Sequence, residues 1–468
     1  MSGCVVGFAA SVLLCSVVLL LCFRLLARLR RQAGTVAFFH PYCNAGGGGE
    51  RVLWCAVDAV LKNYPTRTVV VYTGDAGVSE KEAVELARRN FAVGIEPSRL
   101  RFVHLRGRRC LEADLYPVGT LLFQTLAGVA VALGACCRFV PEVFVDTMGC
   151  PGSLPVFRWL AGCRTGAYVH YPIISVDMLD KVASGRADYN NRRLFATSTL
   201  LRTAKLLYYR LFARFYGALG WACQVVAVNS SWTRGHITQL WGDCTVVYPP
   251  CNVDGFGRVD NVSEQLLVRD KTALVTSVGQ FRPEKNHELQ LAALSLLQEL
   301  LDADDDNSMV ECRLLLIGSC RHEQDRRRVE RLKELADRLG VSERVDFLLN
   351  CTFEELRDRM ADTLIGLHTM KDEHFGIGVV EGMAAGTLMV SHDSAGPKMD
   401  IIGPQSEEVA PCGFLCSSAD DYAHTIKRIL RMSPNDRDRI RQAAKSRARR
   451  FGDSAFERNF IDCFKRIL

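Results

Sequence analysis

Short apolar runs rich in Val, Leu, Ile and Phe alternate along the chain with stretches whose apolar residues recur at helical spacing. Strands are predicted at residues 35–39, 68–73, 101–105, 143–146, 167–170, 225–229 and 246–248. Runs that are apolar throughout suit strands buried on both faces, as in a parallel sheet covered by helices. The pattern lapses over the polar residues 252–270 and then restarts. Further strands are predicted at 273–279, 313–317, 345–348, 365–368 and 388–391. Helices are predicted at 50–62 and 287–301, and again at 436–451 and 455–468. Two such blocks imply an α/β chain with two Rossmann-like, doubly wound domains facing a cleft, with ligands at the carboxyl ends of the strands. The expected division is residues 32–265 for the first domain, 266–435 for the second and 436–468 for closing helices.

Residues 1–31 read differently. No charged side chain occurs from Met1 to Phe23, and Arg24, Arg28, Arg30 and Arg31 follow. About 20 apolar residues span a bilayer. Positive charge after the apolar run, rather than before it, favours an uncleaved transmembrane helix over a signal peptide and puts the body in the cytosol. On that topology the sequons at Asn229, Asn261 and Asn350 stay unglycosylated. A second uncharged stretch, 115–137, contains Pro117 and Gln124 and lies inside the strand–helix pattern. It reads as a buried or membrane-facing helix of the first domain.

Composition narrows the classes. The chain has 468 residues, 48% hydrophobic and 24% charged, which suits large globular cores rather than disorder. A net charge of +6 is small for a dedicated nucleic-acid binder. The 19 cysteines are odd in number and include no Cys-x-x-Cys, so free thiols in a reducing compartment are expected rather than a disulfide framework or zinc ribbon. Cation and aromatic residues interleave over 203–221, which suits an interfacial helix or a core helix. Residues 437–450 hold seven Lys or Arg against one Asp; they suit a helix that is solvated or that attracts anionic lipid.

Four segments carry candidate chemistry. Gly46, Gly47, Gly48 and Gly49 join a predicted strand to a helix, so backbone N–H groups and the helix start can meet a phosphate or sugar. Glu50 and Arg51 follow where a Walker loop needs Lys and Ser or Thr, and Arg51 stands where a dinucleotide fingerprint needs its third Gly. Arg282 and Lys285 in "GQFRPEKNH" follow a strand and suit a diphosphate. In "KDEHFGIGVVEGMAAG", Glu373 and Glu381 are eight apart; in one helix that is about 12 Å of rise and about 80° of rotation, on different faces. Glu373 is therefore expected in the loop, with the helix starting near Gly376. Phe375, Gly376, Ile377 and Gly378 then open a phosphate-binding helix start, and Glu381 can accept from a ribose diol. His170, Asp146 and His40 each end a predicted strand in the first domain, where a histidine can bind sugar hydroxyls or steer a proton. The acidic run 302–306 reads as a solvated loop, since residue 307 is Asn where a calcium loop needs Gly.

Taken together, "FFHPYCNAGGGGERVLW", "YVHYPIISVDML", "AKLLYYR", "QFRPEKNH" and "EHFGIGVVEGMAAGTLMVSHDSAGPKMDII" resemble the dolichol-pathway α-1,2-mannosyltransferases, a branch of the retaining glycosyltransferase family four. The resemblance runs in order from Thr35 onward. It implies a GT-B fold, metal-independent retaining transfer of mannose from GDP-mannose without a cofactor, and a dolichyl-diphosphate oligosaccharide acceptor. It also implies a single-pass anchor in the endoplasmic reticulum membrane, with other glycosyltransferases of the pathway as partners and no nucleic acid. By that pattern Glu381 binds ribose and Glu373 the mannose, and Arg282 and Lys285 hold the diphosphate. The glycine loop approaches donor and acceptor, and His170 matches the family's first-domain histidine; with the strand-end residues His40 and Asp146 it is the candidate for acceptor binding. Arg282, Lys285, Glu373 and His170 are the residues expected to take part in catalysis. Arg282 and Lys285 are closer together than in many family-four members. A different membrane-bound family-four transferase and a non-catalytic partner subunit are the other readings; the intact Arg282, Lys285, Glu373 and Glu381 count against the second.

Overall fold

The computed structural model describes residues 2–75, 77, 79–91, 93–175, 178, 199–257, 268–269, 272–303, 311–320, 322–403 and 411–468. They fall into two compact units. Unit 1 takes Met1–Asn229, Thr233–Val247 and Glu457–Leu468, and unit 2 takes Ser230–Trp232 and Tyr248–Phe456.

Unit 1 is built on β1 (Gln32–Phe39), β2 (Thr68–Thr73), β3 (Leu100–His104), β4 (Pro141–Asp146), β5 (Arg164–Val169), β6 (Val225–Val228) and β7 (Thr245–Val246). The spatial order is β3-β2-β1-β4-β5-β6-β7, and every pairing is parallel. The strand order reverses beside β1, so a crevice opens beyond the carboxyl ends of β1 and β4. Phe39, Tyr72, Phe144 and Phe157 form the aromatic centre of the core. The N-terminal helix Ser2–Leu29 leads into β1. Its far end is part of this core: Ala27 is buried and Phe23 packs against the cluster.

Two helices of unit 1 have one face in the core and one outside. Thr120–Arg138 buries Gly128, Val131, Ala132, Ala135 and Cys136 while Phe123 and Leu126 stay exposed. It is long and apolar enough to cross a membrane, but its inner face is packed on protein. Gly152 lies so close to it that a Cβ there would meet the Thr125 carbonyl at 2.4 Å. Thr199–Gly220 buries Phe212, Tyr216 and Leu219, leaving Leu207, Leu211 and the following Trp221 exposed. The segment expected to be either interfacial or core thus has both an inner and an outer apolar face.

Unit 2 holds β8 (Val268–Arg269), β9 (Thr272–Val278), β10 (Glu311–Gly318), β11 (Val345–Leu349), β12 (Ile365–His368), β13 (Leu388–His392) and β14 (Phe414–Cys416). The order is β11-β10-β9-β12-β13-β14, with β8 beside β9. The pairings are parallel except β8 with β9. The order reverses between β9 and β12, which sets the crevice of this unit.

Three expectations change. The unit boundary falls between Val247 and Tyr248, earlier than the polar stretch suggested, of which residues 258–267, 270 and 271 lie outside the described set. The closing helices are not one body. Pro434–Ala448 packs in unit 2, whereas Glu457–Leu468 returns to unit 1. There Phe460 meets Phe38 at 6.4 Å between ring centroids, and a Cβ at Gly166 would meet the Phe464 ring at 2.6 Å. Arg67 also donates to the Leu468 carbonyl. Finally, the basic run 437–450 is partly engaged inside the protein: three of its seven cations reach backbone carbonyls, while Arg439, Arg449 and Arg450 are exposed. Arg437 donates to the carbonyls of Leu430 and Met432, Arg441 to Gly386, and Arg447 to Asp400, Ile401 and Gly403. These guanidiniums satisfy carbonyls at element ends rather than facing lipid or water.

Sequon residue Asn229 is buried. Asn350 accepts from Cys320 N at 2.8 Å, and residue 261 lies outside the described set, as do 304–306 of the acidic run. No disulfide links the described cysteines; burial pushes the Cys43 thiol up to about 12.

Candidate active site

In unit 2 the crevice residues come from the loops after β9 and β12. After β9, Gly279 packs tightly against β10: a Cβ at Gly318 would meet the Gly279 carbonyl at 2.0 Å. A short 3-10 turn, Pro283–Lys285, follows. Asn286 then takes a left-handed conformation (φ 50°) and starts the helix His287–Asp302. Thr369 Oγ1 donates toward the carbonyls of Lys285 and Asn286, at 2.9 and 3.1 Å. Gln290 Nε2 lies 2.8 Å from the same Thr369 oxygen. The loop carrying Lys285 is therefore fastened to the end of β12.

Lys285 Nζ lies 2.6 Å from Glu373 Oε2 and 3.2 Å from Met370 Sδ. His368 Nε2 lies 3.1 Å from the same Glu373 oxygen. The Glu373 side chain is only 15% exposed. Burial alone would raise its pKa; the Lys285 ammonium and the His368 hydrogen bond outweigh it and hold the carboxyl well below the usual range. The loop 370–376 is itself braced. Gly396 N donates to the Glu373 carbonyl at 2.9 Å, and Ser394 Oγ takes Asp372 N at 2.8 Å. A Cβ at Gly396 would meet the Phe375 carbonyl at 2.3 Å.

The helix Ile377–Ala385 begins at Gly376, whose φ of 113° strongly favours glycine. Its first N–H groups are unpaired within the helix and suit an anion. Glu381 lies one turn in and accepts from Asn252 N at 3.4 Å. The eight-residue spacing thus places Glu373 before the helix and Glu381 on it, as expected. Arg282 differs from Lys285: its side chain is 58% exposed, with Glu284 4.0 Å away. Phe375 is not a ligand-facing side chain. It is buried against Tyr248 and Phe451, at 5.7 and 5.3 Å between centroids, so the backbone of that residue is what the loop can offer. Ile377 likewise packs against this core.

In unit 1 the glycine loop precedes the helix Gly48–Asn63, with Gly47 as its N-cap. Gly46 takes a φ of 76°. Glu50 Oε2 accepts from Gly47 N at 2.6 Å. Its other oxygen lies 3.5 Å from His40 Nε2. Burial would raise the Glu50 pKa, but the His40 contact and the Gly47 N–H lower it on balance. His40 Nδ1 lies 3.0 Å from Thr147 Oγ1, and His170 Nε2 lies 3.1 Å from the Thr147 carbonyl. A Cβ at Gly49 would sit 3.7 Å from His170 Nε2, so His170 borders the glycine loop.

The first-unit residues therefore divide. His170 is half-buried at the crevice. His40 is fully buried, with Thr147 hydrogen-bonded to its Nδ1 and Glu50 beside its Nε2. Asp146 is 1% exposed, and its oxygens accept from Met148 N at 3.0 Å and Cys150 N at 2.7 Å. Burial pushes its pKa up to about 6. It closes the turn after β4. Both residues are buried, so a strand end marks the crevice but not which way a side chain is engaged. Glu50, Thr147, His368 and Thr369 were not singled out from sequence. Only His368 had a signal, as the last residue of a predicted strand five before Glu373.

Residues 33–241 match the family described as "ALG11 mannosyltransferase N-terminus", and residues 258–447 match "Glycosyl transferases group 1". The chain is 46% identical to the Homo sapiens GDP-Man:Man(3)GlcNAc(2)-PP-Dol alpha-1,2-mannosyltransferase over 92% of this chain and 87% of that protein. It is 44% identical to the Caenorhabditis elegans protein of the same name, over 97% and 95%. Among solved structures, sucrose-phosphate synthase from Thermosynechococcus elongatus matches with a TM-score of 0.66 at 18% identity, covering 92% of this chain and 98% of that one. A glycosyltransferase from Rickettsia africae matches with a TM-score of 0.61 at 14% identity, over 92% and 98%. These two share the fold of paired Rossmann-like units. With relatives this similar over nearly its whole length, the chain belongs to the GDP-Man:Man(3)GlcNAc(2)-PP-Dol alpha-1,2-mannosyltransferase family.

Proposed function

We propose that this protein transfers mannose from GDP-mannose in α-1,2 linkage to a dolichyl-diphosphate-linked trimannosyl oligosaccharide, and does so twice in succession. The observation that carries the reading is the Lys285–Glu373 pair beside the start of helix Ile377–Ala385, in a chain of this family. Unit 2 supplies the donor site. Lys285, Arg282 and the free N–H groups at Gly376–Gly378 meet the diphosphate, Glu381 the ribose and Glu373 the mannose hydroxyls. Unit 1 supplies the acceptor side through His170 and the glycine loop.

In this reading the anomeric carbon–oxygen bond to phosphate breaks with its electron pair leaving on GDP. The 2-hydroxyl of the acceptor mannose forms the new bond on the same face, so configuration is retained. Its proton passes to a phosphate oxygen. Negative charge grows on the diphosphate, and fixed cations and amides aimed at it lower the barrier. Phosphate as leaving group and proton acceptor leaves no separate carboxylate base to be found.

We further propose that helix Ser2–Leu29 anchors the protein in the endoplasmic reticulum membrane, with the catalytic body on the cytosolic side. Its uncharged first 23 residues and the arginines after them support this. The exposed apolar faces of Thr120–Arg138 and Thr199–Gly220 suit contact with the bilayer surface, close to a lipid-linked acceptor. Other transferases of the pathway are the expected neighbours there.

The test is a transfer assay on detergent-solubilised protein with GDP-mannose and a phytanyl-linked trimannosyl acceptor. Gain of hexose, removable by an α-1,2-mannosidase, is expected by mass spectrometry. GDP-mannose binding without transfer would reject this acceptor, and absence of binding would reject the donor site. Protease accessibility in sealed microsomes tests the topology, with the body expected to be digested from outside.

A further inference from the structure

We infer that His368 is a positioning residue that holds Glu373 in its working orientation while Lys285 turns to the donor diphosphate. The inference rests on the donor site proposed above and adds a residue to it. One oxygen of Glu373 serves two partners, Lys285 Nζ at 2.6 Å and His368 Nε2 at 3.1 Å. An ionised carboxylate only accepts, so His368 carries its proton on Nε2.

The two partners differ in freedom. Lys285 is a flexible four-carbon stem whose ammonium can follow a charge, and a diphosphate at the helix start competes for it. His368 cannot follow. It is buried at the end of β12, and its carbonyl takes the Tyr422 hydroxyl at 3.0 Å. Thr369, the next residue, is fixed to the Lys285 loop and to Gln290. When the ammonium leaves, Glu373 Oε2 keeps one rigid donor and Oε1 stays directed away from it. That oxygen is the one available to a mannose hydroxyl. Without His368, a carboxylate that has lost its counter-ion with its side chain only 15% exposed is free to turn after Lys285 and block the phosphate site.

The experiment uses the full-length protein in detergent, measuring Kd for GDP and for GDP-mannose, together with kcat and KM for transfer. In H368A, GDP binding is expected to stay within about twofold of wild type, since GDP lacks the sugar. The added affinity from mannose should disappear and kcat should fall roughly tenfold to a hundredfold, the worth of one charge-assisted hydrogen bond. H368Q should recover much of this, because its amide nitrogen reaches as far as Nε2; H368N, one methylene shorter, should not. Wild-type kcat and GDP-mannose affinity in H368A, with E373Q impaired, would overturn the inference alone. An unimpaired E373Q would instead reject the donor-site reading, and the inference with it. If H368A loses GDP binding through misfolding, the Gln and Asn variants decide, and equal activity of the two overturns the proposal.

Discussion

Glu50 Oε2 accepts the Gly47 amide at 2.6 Å and so closes the glycine loop onto the first turn of its own helix. The carboxylate behind that bond is buried, and its other oxygen lies 3.5 Å from Nε2 of the fully buried His40. The loop's shape therefore rests on a buried side chain of the helix it opens.

E50A should lose stability by about 2–3 kcal/mol, the cost of leaving a buried donor and His40 without their partner. E50Q keeps an acceptor for Gly47 and should lose less. Thermal denaturation of both, alongside the transfer rate, checks this; equal effects of the two would show that the hydrogen bond is not what shapes the loop.

Glu373 makes stability depend on acid. Its folded pKa lies below the ordinary carboxylate value of 4.5, so its contribution is present above that value and is lost as pH falls below it. In K285A the largest lowering contact is gone while the His368 hydrogen bond remains, so the folded pKa of Glu373 moves back up. The variant should therefore lose less stability than wild type on titration from pH 7 downward, because Glu373 has less to lose on protonation. Superimposable pH profiles of denaturation midpoint would contradict the assignment.

Asp146 works in the opposite sense. Its folded pKa is raised from 3.8 to about 6, so it favours folding most below its unfolded value and that contribution is lost as pH rises through about 6. D146N should remove this part of the pH dependence. The wild-type-minus-variant difference in unfolding free energy should change by no more than about 3 kcal/mol between pH 4 and 7, at 1.36 kcal/mol per unit. A difference that does not change with pH would mean that the carboxyl is solvated.

Arg447 separates structure from lipid binding. R447A leaves three backbone carbonyls without their donor and should lower stability by about 2 kcal/mol or more. Its retention on anionic vesicles should match wild type when both are folded. Weaker vesicle binding at unchanged stability would restore the lipid role suggested by the charge run.

Two truncations test the first helix. Removal of residues 1–31 takes away Phe23 and Ala27, which pack on the unit 1 core, and Arg31, which donates to the Gly162 carbonyl. Removal of residues 1–22 spares all three. The longer deletion should melt at a lower temperature than the shorter; identical melting would make the whole helix a tether.

The fold was legible because parallel strands buried on both faces appear as unbroken apolar runs: 68–73 and 365–368 are found with the bounds expected. β14 was missed because its three residues, Phe414–Cys416, are too short for any period. The unit 2 crevice was legible where spacing decides geometry, as with Glu373 before the helix and Glu381 on it. It was not legible where one residue depends on contacts remote in sequence. Nothing in the neighbours of Phe375 says that Tyr248 and Phe451 enclose it. Arg437, Arg441 and Arg447 could not be told from their exposed neighbours, because charge pattern records the ion and not the carbonyl ends it caps.

The return of Glu457–Leu468 to unit 1 has a consequence for biosynthesis. The glycine at position 166 is shaped for a phenylalanine, Phe464, that the ribosome adds only after the whole of unit 2. Unit 1 therefore cannot finish folding as an N-terminal domain emerging first. Its sheet must wait, with β5 uncovered, for nearly three hundred further residues, and this long-range closure slows the final step. A released chain truncated after residue 456 should stay sensitive to protease in unit 1 while unit 2 is protected.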